Sequence, residues 1–224
     1  MKKTTVLFDI NETVLKLSVL RPLFSSTFGH EFFTDTWFSM LLHASTVSMI
    51  TDVKTDFSSL SKITLEALAC KTGVQLTSKE RDDILGGFSS LPVHSDIKPA
   101  LLRLRLAGFR VVAFSNSSLC LISNQIDNAG LNAYFDKVIS VEAAGTFKPS
   151  PKAYQFASTE LGQPVDKLRL VASHDWDTHG AICAGLEAAY INRSGMLYNP
   201  LYQKPEIYSS TMNEIVDQII ATDS

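Results

Sequence analysis

Two kinds of hydrophobic pattern divide the chain. Short runs rich in β-branched and aromatic residues predict buried strands at residues 4–9, 109–114, 137–141, 168–172 and 188–191. Apolar residues at helical spacing predict helices at residues 97–107, 119–129, 151–161 and 179–184. Because strands and helices alternate, we expect a parallel sheet with helices on both faces, in which the strand at 188–191 is the last core strand.

A different pattern occupies residues 18–90, where aromatic residues cluster and the helical spacing continues without strands. Thr77 and Glu80 are three residues apart, as in the capping box that opens a helix. The sequence therefore predicts an α/β fold, a doubly wound parallel sheet with a Rossmann-like core, interrupted by an inserted all-helical cap. The predicted domains are a core at residues 1–15 and 95–224 and a cap at residues 16–94.

Composition narrows the function classes. Of the 224 residues, 45% are hydrophobic and 19% charged, which fits a folded globular protein. The net charge of −3 argues against a nucleic-acid partner. The three cysteines form no CxxC pair, which favours a reducing, cytoplasmic location over a disulfide framework or a structural zinc site. The sequence shows neither a signal-peptide pattern nor an apolar run of about 18 residues, so we expect no membrane association.

Polar side chains follow four of the predicted strands, at the sheet edge where α/β proteins bind ligands. They are, in chain order, Asp9 and Asn11, Ser115 and Asn116, Lys148, and then His174 and Asp177. Together they offer a nucleophile, an oxyanion binder, a charge balancer and a water activator. Each also has a structural interpretation, since such residues cap helices and form turns. Their shared position at strand ends favours a catalytic site.

These residues resemble the haloacid dehalogenase superfamily along essentially the whole chain. Five phrases are similar to its L-2-haloacid dehalogenase branch; they begin at Phe8 (FDINETV), Phe114 (FSNS), Phe147 (FKPSPKAY), Ser173 (SHDWDTHGA) and Ile191 (INR). The resemblance implies a doubly wound core with a helical cap after the first strand. It also implies a homodimer and a hydrolase that acts on a small halogenated carboxylate, with neither metal nor cofactor.

The resemblance further implies a covalent mechanism. Asp9 attacks the carbon that bears the halogen and displaces halide with inversion. Water then attacks the carboxyl carbon of the resulting ester and releases a 2-hydroxy acid. In this interpretation Lys148 pairs with Asp9, Thr13 orients Asp9, and Asp177 together with His174 activates the water.

A second group of residues is expected to bind the substrate. Its members are Ser115, Asn116, Ile10, Asn11, Trp176 and Phe38. The Ser115 hydroxyl and backbone amides at Asn116 would hold the substrate carboxylate. Trp176 and Phe38 would form a dry apolar wall around its alkyl part.

Two other functions are consistent with the fold. A Mg²⁺-dependent phosphate-monoester hydrolase of this superfamily would carry a second aspartate two residues after the nucleophile, to protonate the leaving alcohol. That position is Asn11, and the position of one metal-binding acid is Ala172. A catalytically silent protein that binds ligands in the cap cleft is disfavoured by the intact pair of Asp9 and Lys148.

Two departures from the dehalogenase pattern affect the site. His174 stands where the dehalogenases have asparagine, and we expect Asp175 and Asp177 to lie beside its imidazole. An imidazole there could take a proton from water. In the cap, Trp37 is followed by Phe38 rather than by the arginine that helps dehalogenases to bind halide and substrate.

Overall fold

A six-stranded sheet forms the core of the computed structural model, which describes residues 5–223. The strands are β1 (Thr5–Phe8), β2 (Arg110–Ser115), β3 (Lys137–Ser140), β4 (Leu168–Ala172), β5 (Glu187–Ile191) and β6 (Ile207–Ser209). They all run parallel, in the order β3-β2-β1-β4-β5-β6. The order reverses between β1 and β4, and ligands bind open sheets at such a switch point.

The central strand β1 delivers Asp9 to this point. Every residue of β1 is buried, as expected for a parallel strand covered on both faces. Phe8 is in register with Ala113 of β2 and with Val171 of β4. Asp9 therefore leaves the sheet near the carboxyl ends of both neighbouring strands.

Five helices flank the sheet: α5 (Ile97–Leu106), α6 (Leu119–Asn128), α7 (Pro151–Leu161), α8 (Asp175–Cys183) and α9 (Met212–Asp223). Right-handed crossovers place α5 and α6 on one face and α7 and α8 on the other. Helix α9 packs against α5, and α7 packs against α8. The predicted doubly wound α/β fold is confirmed.

The insertion between β1 and α5 is helical, as the sequence predicts. It contains a short 3₁₀ helix at Leu17–Leu20 and the helices α1 (Arg21–Phe28), α2 (Phe33–Ile50), α3 (Phe57–Thr72) and α4 (Ser78–Ser89). The predicted capping box opens α4, since Thr77 and Glu80 each accept the other's backbone N–H. The division into domains at residues 15/16 and 94/95 stays a prediction.

Two stretches of chain join the cap helices to the sheet, and they are hydrogen-bonded to each other. The Lys16 N–H donates to the Pro92 carbonyl at 2.8 Å, and the His94 N–H donates to the Val14 carbonyl at 3.0 Å. Both stretches lie close in sequence to the turn after β1, so the cap is attached beside Asp9.

The structure differs from the prediction at the C-terminal side of the sheet. Strand 187–191 is not the last, because β6 pairs with it at the edge and α9 follows. Helix α8 begins at Asp175 rather than at residue 179. Acidic side chains in a first helical turn are stabilised by the helix dipole, so Asp175 and Asp177 belong to the helix instead of forming a loop. Among residues 5–223, no helix combines the length and apolar character that a membrane crossing requires.

Candidate active site

Asp9 lies at the centre of a buried polar network. Its backbone N–H donates to the Val171 carbonyl at 3.0 Å, which continues the β1–β4 pairing past the end of the strand. One carboxylate oxygen, Oδ1, accepts from Lys148 Nζ at 2.9 Å. The other, Oδ2, accepts from Thr13 Oγ1 at 2.7 Å and lies 3.2 Å from His174 Nδ1. Both oxygens of the predicted nucleophile are therefore held in fixed directions.

Lys148 connects Asp9 to a second carboxylate. Its fully buried ammonium group donates to Asp9 Oδ1, to Asp177 Oδ2 at 2.6 Å and to the Phe114 carbonyl at 3.3 Å. The other oxygen of Asp177 accepts from the Tyr154 hydroxyl at 2.7 Å. Each oxygen of Asp177 thus accepts from one side-chain donor, and its contact with Lys148 fixes the position of the ammonium group.

The charges of this network decide its protonation. Burial alone would raise the pKa of Asp9, but Lys148, His174 and Thr13 hold that pKa well below its usual range. Burial disfavours the charged ammonium, yet Asp177 and Asp9 raise the pKa of Lys148. Burial raises the pKa of Asp177, which Lys148 opposes and the charge of Asp9 reinforces. At neutral pH the site therefore presents an ionised Asp9 beside a cationic lysine.

His174 lies between two carboxylates, but not between those predicted. Its Nδ1 faces Asp9, and its Nε2 lies 2.8 Å from Glu12 Oε2. Burial opposes protonation of the ring, yet the hydrogen bonds and charges of Asp9 and Glu12 raise the pKa of His174 to about 10. The expectation that Asp175 and Asp177 lie beside the imidazole is wrong, because the start of α8 turns both carboxylates to other partners.

Aromatic rings enclose the imidazole. Trp176 stacks on His174 with ring centroids 5.1 Å apart. Phe38, on cap helix α2, lies 6.2 Å from the imidazole centroid. The structure thus brings both predicted wall residues to the site, one from the core and one from the cap.

Thr13 receives support from several elements. Its hydroxyl, which donates to Asp9, accepts the Ser173 N–H at 2.8 Å. Its carbonyl accepts from Arg193 Nη2 at 3.3 Å, and the same guanidinium group forms a two-pronged ion pair with Asp96 at 2.7 and 2.9 Å. Arg193 therefore links the end of β5, the start of α5 and the turn that carries Asp9.

The predicted substrate-binding residues after β2 are already engaged within the protein. The Asn116 side chain exchanges two hydrogen bonds with the backbone of Lys148, accepting at 2.8 Å and donating at 3.4 Å. The Ser115 hydroxyl accepts the Ser117 N–H at 3.1 Å. The Asn116 side chain thus holds the backbone of Lys148 in place. The predicted contact with substrate is a different one, since it involves the backbone amides at Asn116.

Asn11 and Ile10 are also occupied. The Asn11 amide donates to the Ser117 hydroxyl at 3.1 Å and accepts from Gln125 Nε2 at 3.0 Å, and Gln125 also donates to the Phe88 carbonyl of the cap at 3.0 Å. The Ile10 side chain is completely buried. The side chains of both residues therefore shape the turn and its junction with the cap.

Tyr154, Glu12 and Arg193 carry contacts that were not assigned from the sequence. Tyr154 lies on α7, six residues after Lys148 in the sequence. Glu12 has a backbone φ of +64°, which the sequence does not disclose. No group of three or more His, Cys, Asp or Glu side chains within residues 5–223 is arranged to hold a metal ion.

Comparisons with known proteins find relatives among hydrolases. A family model described as haloacid dehalogenase-like hydrolase matches residues 3–185. The (S)-2-haloacid dehalogenase of Pseudomonas fluorescens is 32% identical over 133 residues, which cover 59% of each chain. Haloacetate dehalogenase H-2 of a Moraxella species is 33% identical over 124 residues, which cover 55% of each chain. The matched part thus spans little more than half the length of these relatives.

One solved structure extends the likeness to nearly the whole fold. The L-2-haloacid dehalogenase of Xanthobacter autotrophicus with chloropropionic acid covalently bound superposes with a TM-score of 0.91 at 21% identity. The superposition covers 99% of this chain and 100% of that one. At this identity the likeness concerns the fold alone.

Proposed function

Because the chain belongs to the family of haloacid dehalogenase-like hydrolases, we propose that it hydrolyses short (S)-2-haloalkanoic acids to 2-hydroxy acids through an ester of Asp9. The observation that carries this proposal is the Asp9–Lys148 pair, 2.9 Å apart and nearly excluded from solvent at the end of the central strand. A desolvated carboxylate that stays ionised is a nucleophile able to displace halide.

The residue at position 11 supports this reaction over phosphate-ester hydrolysis. Halide is a weak base that leaves without a proton, whereas an alcohol needs an acid. Asn11 cannot supply that acid, and both ends of its amide are bonded to Ser117 and Gln125. The site is therefore matched to a leaving group that needs no protonation.

In the first half-reaction an Asp9 oxygen forms a bond to C2 of the substrate, and the C2–halogen bond breaks with inversion. Lys148 and Thr13 hold the carboxylate for this attack. The Ser115 hydroxyl and the backbone amides at Asn116 bind the substrate carboxylate. Phe38 and Trp176 form the apolar wall, and residues 16–94 act as a cap over the cleft.

In the second half-reaction water attacks the carboxyl carbon of the Asp9 ester and releases the hydroxy acid. His174 is the better placed of the two predicted water activators, since its Nδ1 faces Asp9 at 3.2 Å. Asp177, with both oxygens bonded to Lys148 and Tyr154, acts through the ammonium group. A homodimer and a cytoplasmic location are proposals that rest on the resemblance and on cysteine usage.

Halide release from (S)-2-chloropropionate tests the function. We expect wild-type protein to release chloride and 2-hydroxypropionate of inverted configuration, with a rate unchanged by EDTA. Asp9→Asn should stay folded and lose essentially all activity. With enzyme in excess over substrate in H₂¹⁸O, the label should enter Asp9, because water attacks the ester rather than the substrate.

Two results would contradict the proposal. Label found only in the product of the first turnover would exclude the ester. Phosphate release from a phosphate monoester that requires Mg²⁺, without any halide release from haloacids, would replace the dehalogenase function by the phosphatase alternative.

A further inference from the structure

Glu12 occupies a backbone conformation that costs energy. Its φ of +64° lies in the left-handed region, which glycine adopts readily and a residue with a branched or long side chain rarely adopts. In this conformation the Glu12 side chain reaches His174, and its Oε2 lies 2.8 Å from His174 Nε2. A strained residue that persists beside a catalytic carboxylate suggests a function for its side chain.

Ring contacts set the tilt of the His174 imidazole, and contacts of its two nitrogens set its rotation within the ring plane. Trp176 stacks on one side, with an interplanar angle of 24°, and Phe38 packs at 31°. Its two nitrogens point to Asp9 and Glu12. Glu12, His174 and Asp9 thus form a continuous series of contacts, carboxylate–imidazole–carboxylate, that ends on the proposed nucleophile.

The chain of contacts leads from the buried site toward solvent. The side chain of Asp9 is 7% exposed, that of His174 13%, and that of Glu12 36%. Glu12 therefore holds the Nε2 side of the imidazole from a position that borders on water.

Esterification of Asp9 changes the charges that surround the His174 imidazole. In the free protein two carboxylates favour the imidazolium. Once Asp9 carries the acyl group it is neutral, and Glu12 is the remaining carboxylate that touches the ring. His174 then holds its proton less tightly, and Nδ1 faces the carbonyl that water must attack.

We propose that Glu12 is a positioning residue that makes His174 the general base of ester hydrolysis, by holding Nε2–H while Nδ1 takes a proton from water. This inference rests on the proposed function. It follows the general logic in which a base is oriented by a third group.

The protons balance over the cycle. After alkylation the imidazolium releases its Nδ1 proton to solvent, which leaves the Nε2–H that Glu12 holds. Nδ1 then takes one proton of the attacking water, the new C–O bond forms at the ester carbon, and the bond to the product oxygen breaks. The second water proton passes to that oxygen, which leaves an ionised Asp9 and a protonated His174. The net reaction releases one proton and one halide.

Other charged groups near the ring have separate partners. Asp175 accepts the backbone N–H groups of Trp176 and Asn199, at 2.7 and 3.0 Å. Asp177 is bonded to Lys148 and Tyr154. Phe38 and Trp176 bring no charge to the ring. Among the described residues, Asp9 and Glu12 are the acids bonded to the imidazole.

Rapid-mixing kinetics of Glu12→Gln test the inference. The amide keeps the size of the side chain and removes its charge. We expect hydrolysis of the ester to slow about 10- to 100-fold, with alkylation slowed much less. A burst of about one halide per site should precede a slow steady state, and intact-protein mass spectrometry should show the acyl adduct.

The pH profile of hydrolysis separates a role in base strength from a merely structural one. Hydrolysis needs neutral His174, so its rate rises with pH to a plateau. Removing the negative charge of Glu12 lowers the pKa of His174, so the rise of the hydrolysis rate shifts to lower pH. The rate on the plateau also falls. Glu12→Gly, which suits the positive φ, should show the same shift. Glu31→Gln, which removes an exposed charge, is the control and should match wild type.

The outcomes distinguish this inference from the proposed function. Unchanged hydrolysis in Glu12→Gln, or slower hydrolysis whose rise with pH does not shift, would overturn the role of Glu12 while halide release still supports the function. If wild-type protein releases no halide, the function and the base role both fail. Histidine NMR of the free protein would then still report whether Glu12→Gln lowers the titration midpoint of His174 from about pH 10.

Discussion

The sheet edge and the centre of the cap bury their side chains by opposite means. At the sheet edge, the charged side chains of Asp9, Lys148 and Asp177 are buried, and hydrogen bonds to specific partners compensate their charges. In the cap, Trp37 packs on Phe24 at 5.5 Å and on Phe88 at 5.2 Å. Ring packing tolerates exchange of apolar shapes, whereas a buried charge depends on the few specific groups that compensate it. The charged groups of the proposed reaction therefore lie at the sheet edge, and the centre of the cap is held by ring packing.

Two ion pairs of equal length make this difference concrete. Lys148 lies 2.6 Å from Asp177 at the sheet edge, and Lys79 lies 2.6 Å from Asp83 on cap helix α4. Both side chains of the first pair are 0% exposed, whereas those of the second are 84% and 43% exposed. Distance alone therefore does not indicate the importance of an ion pair; the solvent around it does.

The largest effect on stability and activity is expected when the buried cation of Lys148 is removed. Lys148→Met removes the cation that neutralises Asp9 and Asp177 but keeps much of the side-chain volume. We expect the free energy of unfolding to fall by about 3–5 kcal/mol, as for a buried pair that loses one partner, and activity to vanish. Chemical denaturation at pH 7 measures the loss.

Lys79→Met is the matched control in the cap. Exposed pairs are screened by water, so its denaturation midpoint should coincide with that of wild type. Equal losses in the two variants would show that the sheet-edge network contributes no more than a surface pair.

Much of the fold follows from local patterns. Helix 151–161 lies where the sequence predicts it, because Ser150 caps it and Gly162 takes the left-handed conformation that ends it. Strand 168–172 is likewise confirmed, since a continuous apolar run is typical of a buried parallel strand. Strand β6 escaped prediction because it has three residues, one of them the exposed Tyr208.

The site was predictable where topology alone decides it. Parallel strands end at one edge, which favours the convergence of Asp9, Lys148 and Asp177 that the structure shows. Contacts that depend on a turn or a helix face did not follow from the sequence. The reach of Glu12 to His174 requires a left-handed backbone at residue 12, and the bond from Tyr154 to Asp177 depends on how α7 packs against α8.

A smaller effect is expected from the pH dependence of stability. The pKa of His174 is raised from 6.5 to about 10 in the folded protein. Its contribution to stability is therefore complete below about pH 6.5 and is lost as the pH rises toward 10. The free energy of unfolding should fall over this window by about 2–3 kcal/mol, less than the full shift implies because the 13% exposed ring is partly screened.

His174→Asn should flatten this slope in denaturation series from pH 6 to 10. The comparison variant in the cap is His43→Asn, which removes an exposed imidazole of α2. Its curve should follow wild type. A slope retained in His174→Asn would mean that the imidazole is not held as a cation by Asp9 and Glu12.

The smallest effect is expected where the two regions meet. Phe38 belongs to the cap, but its ring centroid also lies 6.2 Å from that of His174. The ring contacts of Phe24 within residues 5–223 are with Phe28 and Trp37, both in the cap. Phe38→Leu shortens the apolar wall and should raise KM for (S)-2-chloropropionate about fivefold, since a lost methylene-scale contact is worth about 1 kcal/mol. Phe24→Leu should lower the free energy of unfolding by about 1 kcal/mol and leave KM within about twofold of wild type. Steady-state kinetics and denaturation of both variants decide the matter. If Phe24→Leu raises KM as much as Phe38→Leu does, the cap acts on the substrate through its overall packing, and the wall cannot be assigned to Phe38.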